Sequence, residues 1–334
     1  MFDSVTILGA GSWGMAVANL LIENEQQVTL WEHKPEAARL LKETRVNQQK
    51  LKDFMLDEKI EITSDLKEAV DASSLIVLAV PSQKIRELIK KEKSALAKKD
   101  LVCLSKGIEN NTLMRMSEVI EEELGGSNCK VCILSGPSHA EEVVRKIPTT
   151  IVASGKNKEL TEKTQAIFSN NYFRVYISDD IIGVELGGAL KNIIAIACGI
   201  TDGLGMGDNT RGALITRGLA EITRLGAELG ADSKTFAGLS GLGDMVTTCS
   251  SEHSRNRRVG FLLGKGKSLN DILSGMNMVA EGVATTKSGY ELSQKYNIEM
   301  PITAEVYNVL FENKNPKKAV EDLMVRKLKS EIWH

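Results

Sequence analysis

The stretch VTILGAGSWGMA, residues 5–16, places Gly9, Gly11 and Gly14 directly behind an apolar run and ahead of the helical-looking MAVANLLIEN. GxGxxG between a strand and a helix is the fingerprint of a dinucleotide-binding turn. Gly9 is expected to make the tight turn, Gly11 to let the backbone approach a pyrophosphate, and Gly14 to pack the helix on the strand. The helix N-terminus then turns its unpaired amides toward the anion. The second apolar run, VTLW, ends in Glu32, His33 and Lys34. An acid there suits the ribose hydroxyls of NAD and a base suits the 2′-phosphate of NADP, so both cofactors stay open.

The first half alternates short β-rich runs with helical stretches: VTILG, 12–24, VTLW, 35–43, LIVLAV, 82–97, LVCLS, then VCILSG, TTIVASG and FRVYIS. Such alternation predicts βαβ units and a parallel sheet. From residue 181 strand signals fade and helical patterns take over, so the expected fold is α/β. It comprises an N-terminal Rossmann-like dinucleotide-binding domain, 1–180, and a C-terminal all-helical substrate domain, 181–334. Length agrees, since 334 residues exceed one typical domain.

With 42% hydrophobic residues, 26% charged ones and a net charge of −2, the chain has no surplus of base for nucleic acid or an acidic membrane. Its five cysteines are odd in number and scattered, which fits buried thiols in a reducing cytoplasm. Cys129 and Cys132 form a CxxC in an apparent strand, where a redox pair lacks its helix N-terminus. Four scattered histidines give no metal-ligand spacing, and no metal is expected. No basic residue precedes Lys34, so no secretory signal is expected. Residues 181–200 have a membrane-like length but contain Glu185 and Lys191, which favours a buried helix over insertion.

Several polar residues stand out against this frame. Lys191 lies in an apolar helical pattern, with Gly187 and Gly188 one turn earlier leaving room beside its stem. Partial desolvation would lower its pKa toward the range of proton transfer, and snorkelling to solvent is the equal alternative. Lys106 follows a strand at the carboxyl edge of the sheet, where ligands of such folds bind. Ser138 and Glu141, in SGPSHAEE, have capping-box spacing. Residues 238–260 combine a glycine-rich turn, Asp244, Thr248 and Arg255, Arg257 and Arg258, and arginine forks suit phosphate. The GKS at 266–268 is no P-loop, because Phe261 stands where its first glycine belongs.

Taken in order, LGAGSWG, LSKGIE, SGPSHAEEV, GVELGGALKNIIAIACGITDGL and GLGD followed by SRNRRVG resemble the bacterial NAD(P)-dependent glycerol-3-phosphate dehydrogenases over nearly the whole chain. Met15 is a departure, where the family usually has threonine. The resemblance implies reversible reduction of dihydroxyacetone phosphate to glycerol 3-phosphate for phospholipid synthesis, in the cytoplasm, by an enzyme that a homodimer would suit. It implies cofactor contacts from Ser12, Trp13, His33, Lys34, Lys106, Ala140, Arg255, Val279 and Glu281. Substrate contacts would come from Lys106, Gly136, Ser138, Lys191, Asp244, Ser254, Arg255 and Asn256, with Asn192 and Thr248 in the same polar cluster. Lys191 would exchange the proton and Lys106 would stabilise developing charge. A dehydrogenase for another small hydroxyacid, or a silent NAD(P) sensor, would keep the glycine turn as well; the sensor has no need of Lys191.

Overall fold

A computed structural model describes residues 4–125, 130–328 and 330–331. Among these residues ten strands occur: β1 Ser4–Leu8, β2 Gln27–Trp31, β3 Val46–Asn47, β4 Leu51–Met55, β5 Glu61–Thr63, β6 Leu75–Leu78, β7 Asp100–Cys103, β8 Val131–Ser135, β9 Thr149–Gly155 and β10 Phe173–Ser178. Eight of them form one sheet in the order β10-β9-β8-β7-β6-β1-β2-β5, and β3 pairs β4 antiparallel apart from it. The central strands are apolar almost throughout because both faces of the sheet are covered. Val5, Ile7, Leu75, Val77 and Val102 face one core. Leu8, Ile76, Leu78, Leu101 and Cys103 face the other, as the two-residue period of a strand requires.

One pairing departs from the expected all-parallel sheet: β8 and β9 run antiparallel. A parallel return needs a crossover long enough to carry a helix across the sheet. Between Ser135 and Thr149 the only helix is the four-residue turn Ala140–Val143, so the chain doubles back instead. The helix expected over 82–97 is also broken, into Ile85–Lys91 and Lys93–Leu96 after a short turn. The β3–β4 hairpin and β5 were not expected from the sequence.

Beyond residue 180 every regular element among the described residues is helical. The helix Ile181–Gly203 is apolar on all sides because it is the core of this half. It is long and apolar enough to cross a membrane, yet 94% of that apolar stretch is buried inside the molecule. Asp180 caps it by accepting from the Gly183 amide at 2.9 Å. The helix Arg255–Gly264 lies against it backbone to backbone. A Cβ on Gly199 would stand 2.0 Å from the Arg257 carbonyl oxygen, and one on Gly260 would stand 2.0 Å from that of Ile196. These glycines fix how closely the arginine-bearing helix sits beside the lysine-bearing one.

Cys103, Cys132, Cys198 and Cys249 are buried free thiols, and burial pushes Cys103 up to about 12 and Cys132 up to about 11. Cys129 lies outside the described residues.

Candidate active site

At the end of β1, Gly9 adopts φ +125°, and a Cβ there would stand 2.7 Å from the Ala79 carbonyl oxygen. Gly14 comes so close to the Gly9 carbonyl that a Cβ would overlap it at 1.9 Å. Gly11 has no neighbour within 4 Å of such a Cβ; it faces open space at the N-cap of α1, Ser12–Glu23, and no side chain caps that helix. A bare backbone turn ahead of uncapped amides fits a dinucleotide pyrophosphate. Ser12 Oγ reaches the Lys50 carbonyl and lies 3.1 Å from Met278 Sδ. The Trp13 ring packs on Phe173 with centroids 6.3 Å apart, so this residue offers the turn its backbone N–H rather than its indole.

At the end of β2, Glu32 is only 2% exposed. Its Oε1 accepts from the Lys34 amide at 3.3 Å and lies 2.9 Å from His33 Nδ1, while Oε2 accepts from Lys50 Nζ at 2.8 Å. The His33 and Lys34 side chains are exposed beside it. Lys34 also stands at the N-cap of α2, Pro35–Thr44.

Where the two halves meet, one carboxylate holds two lysines. Asp244 begins the helix Asp244–Ser250 and is 2% exposed. Its Oδ2 accepts from Lys106 Nζ at 2.6 Å and its Oδ1 from Lys191 Nζ. Lys191 also donates to Thr248 Oγ1 at 2.5 Å, and Lys106 donates to the Gly136 carbonyl at 2.8 Å. Burial lowers the Lys191 pKa most, the Asp244 charge opposes that, the Lys106 charge adds to it, and the balance falls at about 8. Burial alone would raise Asp244, but the two ammonium groups hold it below the usual carboxylate range. The snorkelling alternative is excluded, for Lys191 is only 5% exposed.

Gly187 and Gly188 do not make room for the Lys191 stem, as their spacing implied. A Cβ on Gly187 would meet the Ser240 carbonyl at 2.7 Å, and one on Gly188 would meet Ser135 Oγ at 2.3 Å and Lys106 Cδ at 3.6 Å. They admit the partners that carry Asp244 and Lys106.

A chain of amides leads away from this cluster. Asn256 Nδ2 donates to Asn192 Oδ1 at 2.8 Å, and Asn256 Oδ1 accepts from the Gly282 amide at 2.9 Å. Ser254 caps the helix Arg255–Gly264 by accepting from the Arg257 amide at 3.2 Å. Arg255 is exposed and donates to the Val279 carbonyl at 2.9 Å. Next to Val279, Glu281 accepts from the Ser82 amide at 3.0 Å and from Ser82 Oγ. Burial raises the Glu281 pKa against those bonds. Of the three arginines, Arg257 is withdrawn into an ion pair with Asp202 at 2.7 Å, and Arg258 lies on the exposed face of the helix.

The expected capping box fails. The short helix starts at Ala140 with His139 as its N-cap, and Ser138 Oγ donates to the Gly136 carbonyl at 3.0 Å instead. Ser138 is thereby left at the loop beside Lys106. Two groups went unnoticed in the sequence. Lys50 resembled any solvated lysine of a polar loop. His139 has an imidazole Nε2 without a partner, and burial, with the Lys191 charge next, pushes its pKa down to about 4.

Family comparison now adds to the geometry. The N-terminal model of NAD-dependent glycerol-3-phosphate dehydrogenase matches residues 4–161 and the C-terminal model matches 180–321. The chain belongs to this family. A glycerol-3-phosphate dehydrogenase of Thermoanaerobacter sp., named for NAD(P)+, is 54% identical over 98% of this chain and 98% of its own length. One from Geobacillus thermodenitrificans is 52% identical over 99% and 97%. The crystal structure of the Coxiella burnetii glycerol-3-phosphate dehydrogenase superposes with a TM-score of 0.93 at 38% identity, covering 97% of this chain and 99% of that one. The protein is therefore an NAD(P)-dependent oxidoreductase with the family's Rossmann-like and helical halves, as its sequence motifs implied.

Proposed function

We propose that this chain reversibly reduces dihydroxyacetone phosphate to sn-glycerol 3-phosphate with NADH or NADPH, in the cytoplasm and without membrane insertion, and so feeds glycerophospholipid synthesis. Residues 1–180 serve as the cofactor domain and 181–334 as the substrate domain, and a homodimer is the assembly that suits the enzyme. The observation that carries this reading is Asp244, one buried carboxylate bridging Lys106 and Lys191 where the two halves meet.

The bound nicotinamide supplies the hydride that reduces the carbonyl carbon. Gly9, Gly11 and Gly14, with the amides of Ser12 and Trp13, hold its pyrophosphate. His33 and Lys34 lie at the adenosine ribose, and Ala140, Val279, Glu281, Lys106 and Arg255 line the rest of its path. Lys191, with a pKa of about 8, carries a proton near neutral pH and releases it at little cost. It protonates the ketone oxygen in reduction and takes the hydroxyl proton in oxidation. Lys106 places a second positive charge at the same oxygen, which stabilises negative charge as it develops. Asp244 and Thr248 hold both ammonium groups in position. Gly136, Ser138 and Ser254 border the substrate, and Arg255 and Asn256, steadied by Asn192, grip its phosphate. Binding energy far from the carbonyl then orients the reacting carbon.

A spectrophotometric assay following NADH and NADPH oxidation tests the reading. Dihydroxyacetone phosphate is expected to react and dihydroxyacetone to react poorly. Lys191→Met is expected to lower turnover by about 10²-fold or more, the usual worth of a positioned acid, with cofactor affinity nearly intact. Undiminished turnover in that variant removes Lys191 from the chemistry, and equal activity on both ketones removes the phosphate grip.

A further inference from the structure

In a dinucleotide-binding fold, an acid at the end of the second strand accepts the ribose hydroxyls of NAD and repels the 2′-phosphate of NADP. Glu32 holds that place, but both its oxygens are already engaged. The Lys34 amide occupies Oε1, with His33 Nδ1 2.9 Å from it, and Lys50 occupies Oε2, in a carboxylate that is 2% exposed. Lys50 is set there by the hairpin between β3 and β4. Its amide donates to Asn47 Oδ1 at 3.1 Å, its Nζ donates to the Ala10 carbonyl of the glycine turn at 2.9 Å, and its own carbonyl accepts from Ser12 Oγ. The ammonium thus bridges the glycine turn and the acid. Lys50 cancels the Glu32 charge, and the exposed Lys34 and His33 side chains add base at the same edge.

We propose that Lys50 is the specificity-determining residue for the cofactor: by neutralising Glu32 it makes the end of β2 receptive to a 2′-phosphate, so that the chain binds NADPH in preference to NADH. The inference rests on the reading that the glycine turn and the end of β2 bind the adenosine half of the dinucleotide. Nothing in the sequence separates Lys50 from Lys52, two residues on; the contact with Glu32 does.

The test is the dissociation constant of NADPH and of NADH, read from cofactor fluorescence without substrate, in wild type, Lys50→Met, Glu32→Gln and the double variant, with thermal unfolding as a check on folding. Wild type is expected to favour NADPH. Lys50→Met should weaken NADPH by about tenfold or more, the cost of setting two like charges against each other, and NADH by much less. The double variant should recover most of the NADPH affinity, because the harm in Lys50→Met comes from a bare carboxylate facing phosphate. Glu32→Gln alone frees the ammonium and should tighten NADPH; this arm stands even if Lys50→Met fails to fold. Equal losses for both cofactors in Lys50→Met without recovery in the double variant, or weaker NADPH in Glu32→Gln, overturn the proposal and leave Lys50 as a brace of the glycine turn. Failure of folded wild type to bind either cofactor would instead overturn the reading on which it rests.

Discussion

Replacing Asp244 by Asn keeps the shape of the side chain and removes the charge that holds Lys106 and Lys191 together. In the native site burial and Lys106 lower the Lys191 pKa and Asp244 raises it, with the balance at about 8. Deleting the main raising neighbour must move the value down, and an opposite charge at contact distance is worth about 1–3 pKa units. The Lys106 charge, no longer shared with a carboxylate, acts in the same direction. On the proposed mechanism, in which Lys191 protonates the ketone, kcat at saturating substrate should fall on the alkaline side of about 8 in wild type. In Asp244→Asn the limb should fall at about 5–7. For a pKa near 6, about 3% of the lysine is charged at about pH 7.5, against roughly three quarters before, a loss of about 25-fold from protonation alone.

The reverse reaction distinguishes this from simple damage. Alcohol oxidation needs the neutral amine, so its kcat should rise through about 8 in wild type and through the same lowered value in the variant. Asp244→Asn should therefore be a relatively better oxidant than reductant at neutral pH. The assay is a pair of pH–rate profiles in both directions, with circular dichroism to show that the variant is folded. A kcat lower at every pH with both limbs unmoved would refute the reasoning, since Asp244 would then position the lysines without setting their charge.

Arg255→Lys keeps the charge but loses the planar fork, and should raise KM for dihydroxyacetone phosphate by about tenfold or more. Because Arg255 also donates to Val279 beside Glu281, NAD(P)H affinity is measured in the same variant; an equal fall in kcat/KM for dihydroxyacetone would show a loss independent of phosphate. Glu185→Ala tests stability away from the chemistry. The Glu185 carboxylate accepts from the Ser117 amide at 2.8 Å, from Ser117 Oγ at 2.6 Å and from the half-buried guanidinium of Arg115. Removing it leaves the buried Ser117 amide without an acceptor, while Arg115 keeps Glu118 at 2.8 Å, and should cost about 1–3 kcal/mol in urea unfolding; a shift near zero would mean that the Ser117 amide finds a new acceptor.

How far the sequence reaches can be seen residue by residue. The glycine turn, β1, β2, β6 and the 181–203 helix were legible because each depends on local spacing, on a continuous apolar run or on the identity of glycine. The antiparallel β9 carries no mark in its own residues; it lies in the length of the link before it, which is too short in helix to cross the sheet. The hairpin β3–β4 was hidden by its polar composition, having one core residue, Leu51, among exposed neighbours. The same limit holds at the site. Lys106, Lys191 and Asp244 could each be named from motifs, but no motif states that the two lysines share one carboxylate. That sharing sets the Lys191 pKa at about 8, for without Asp244 burial and the Lys106 charge would carry it lower, and without burial it would stay nearer its ordinary value. Lys50 is the stronger case: its residue type is ordinary and its loop polar, and it acquires meaning only when folding brings the β3–β4 hairpin over the glycine turn and onto Glu32. Charge partners far apart in sequence are set by packing. If Lys50 sets the preference, a chain of this family can keep every motif and still change its cofactor through one residue in a loop that no motif covers.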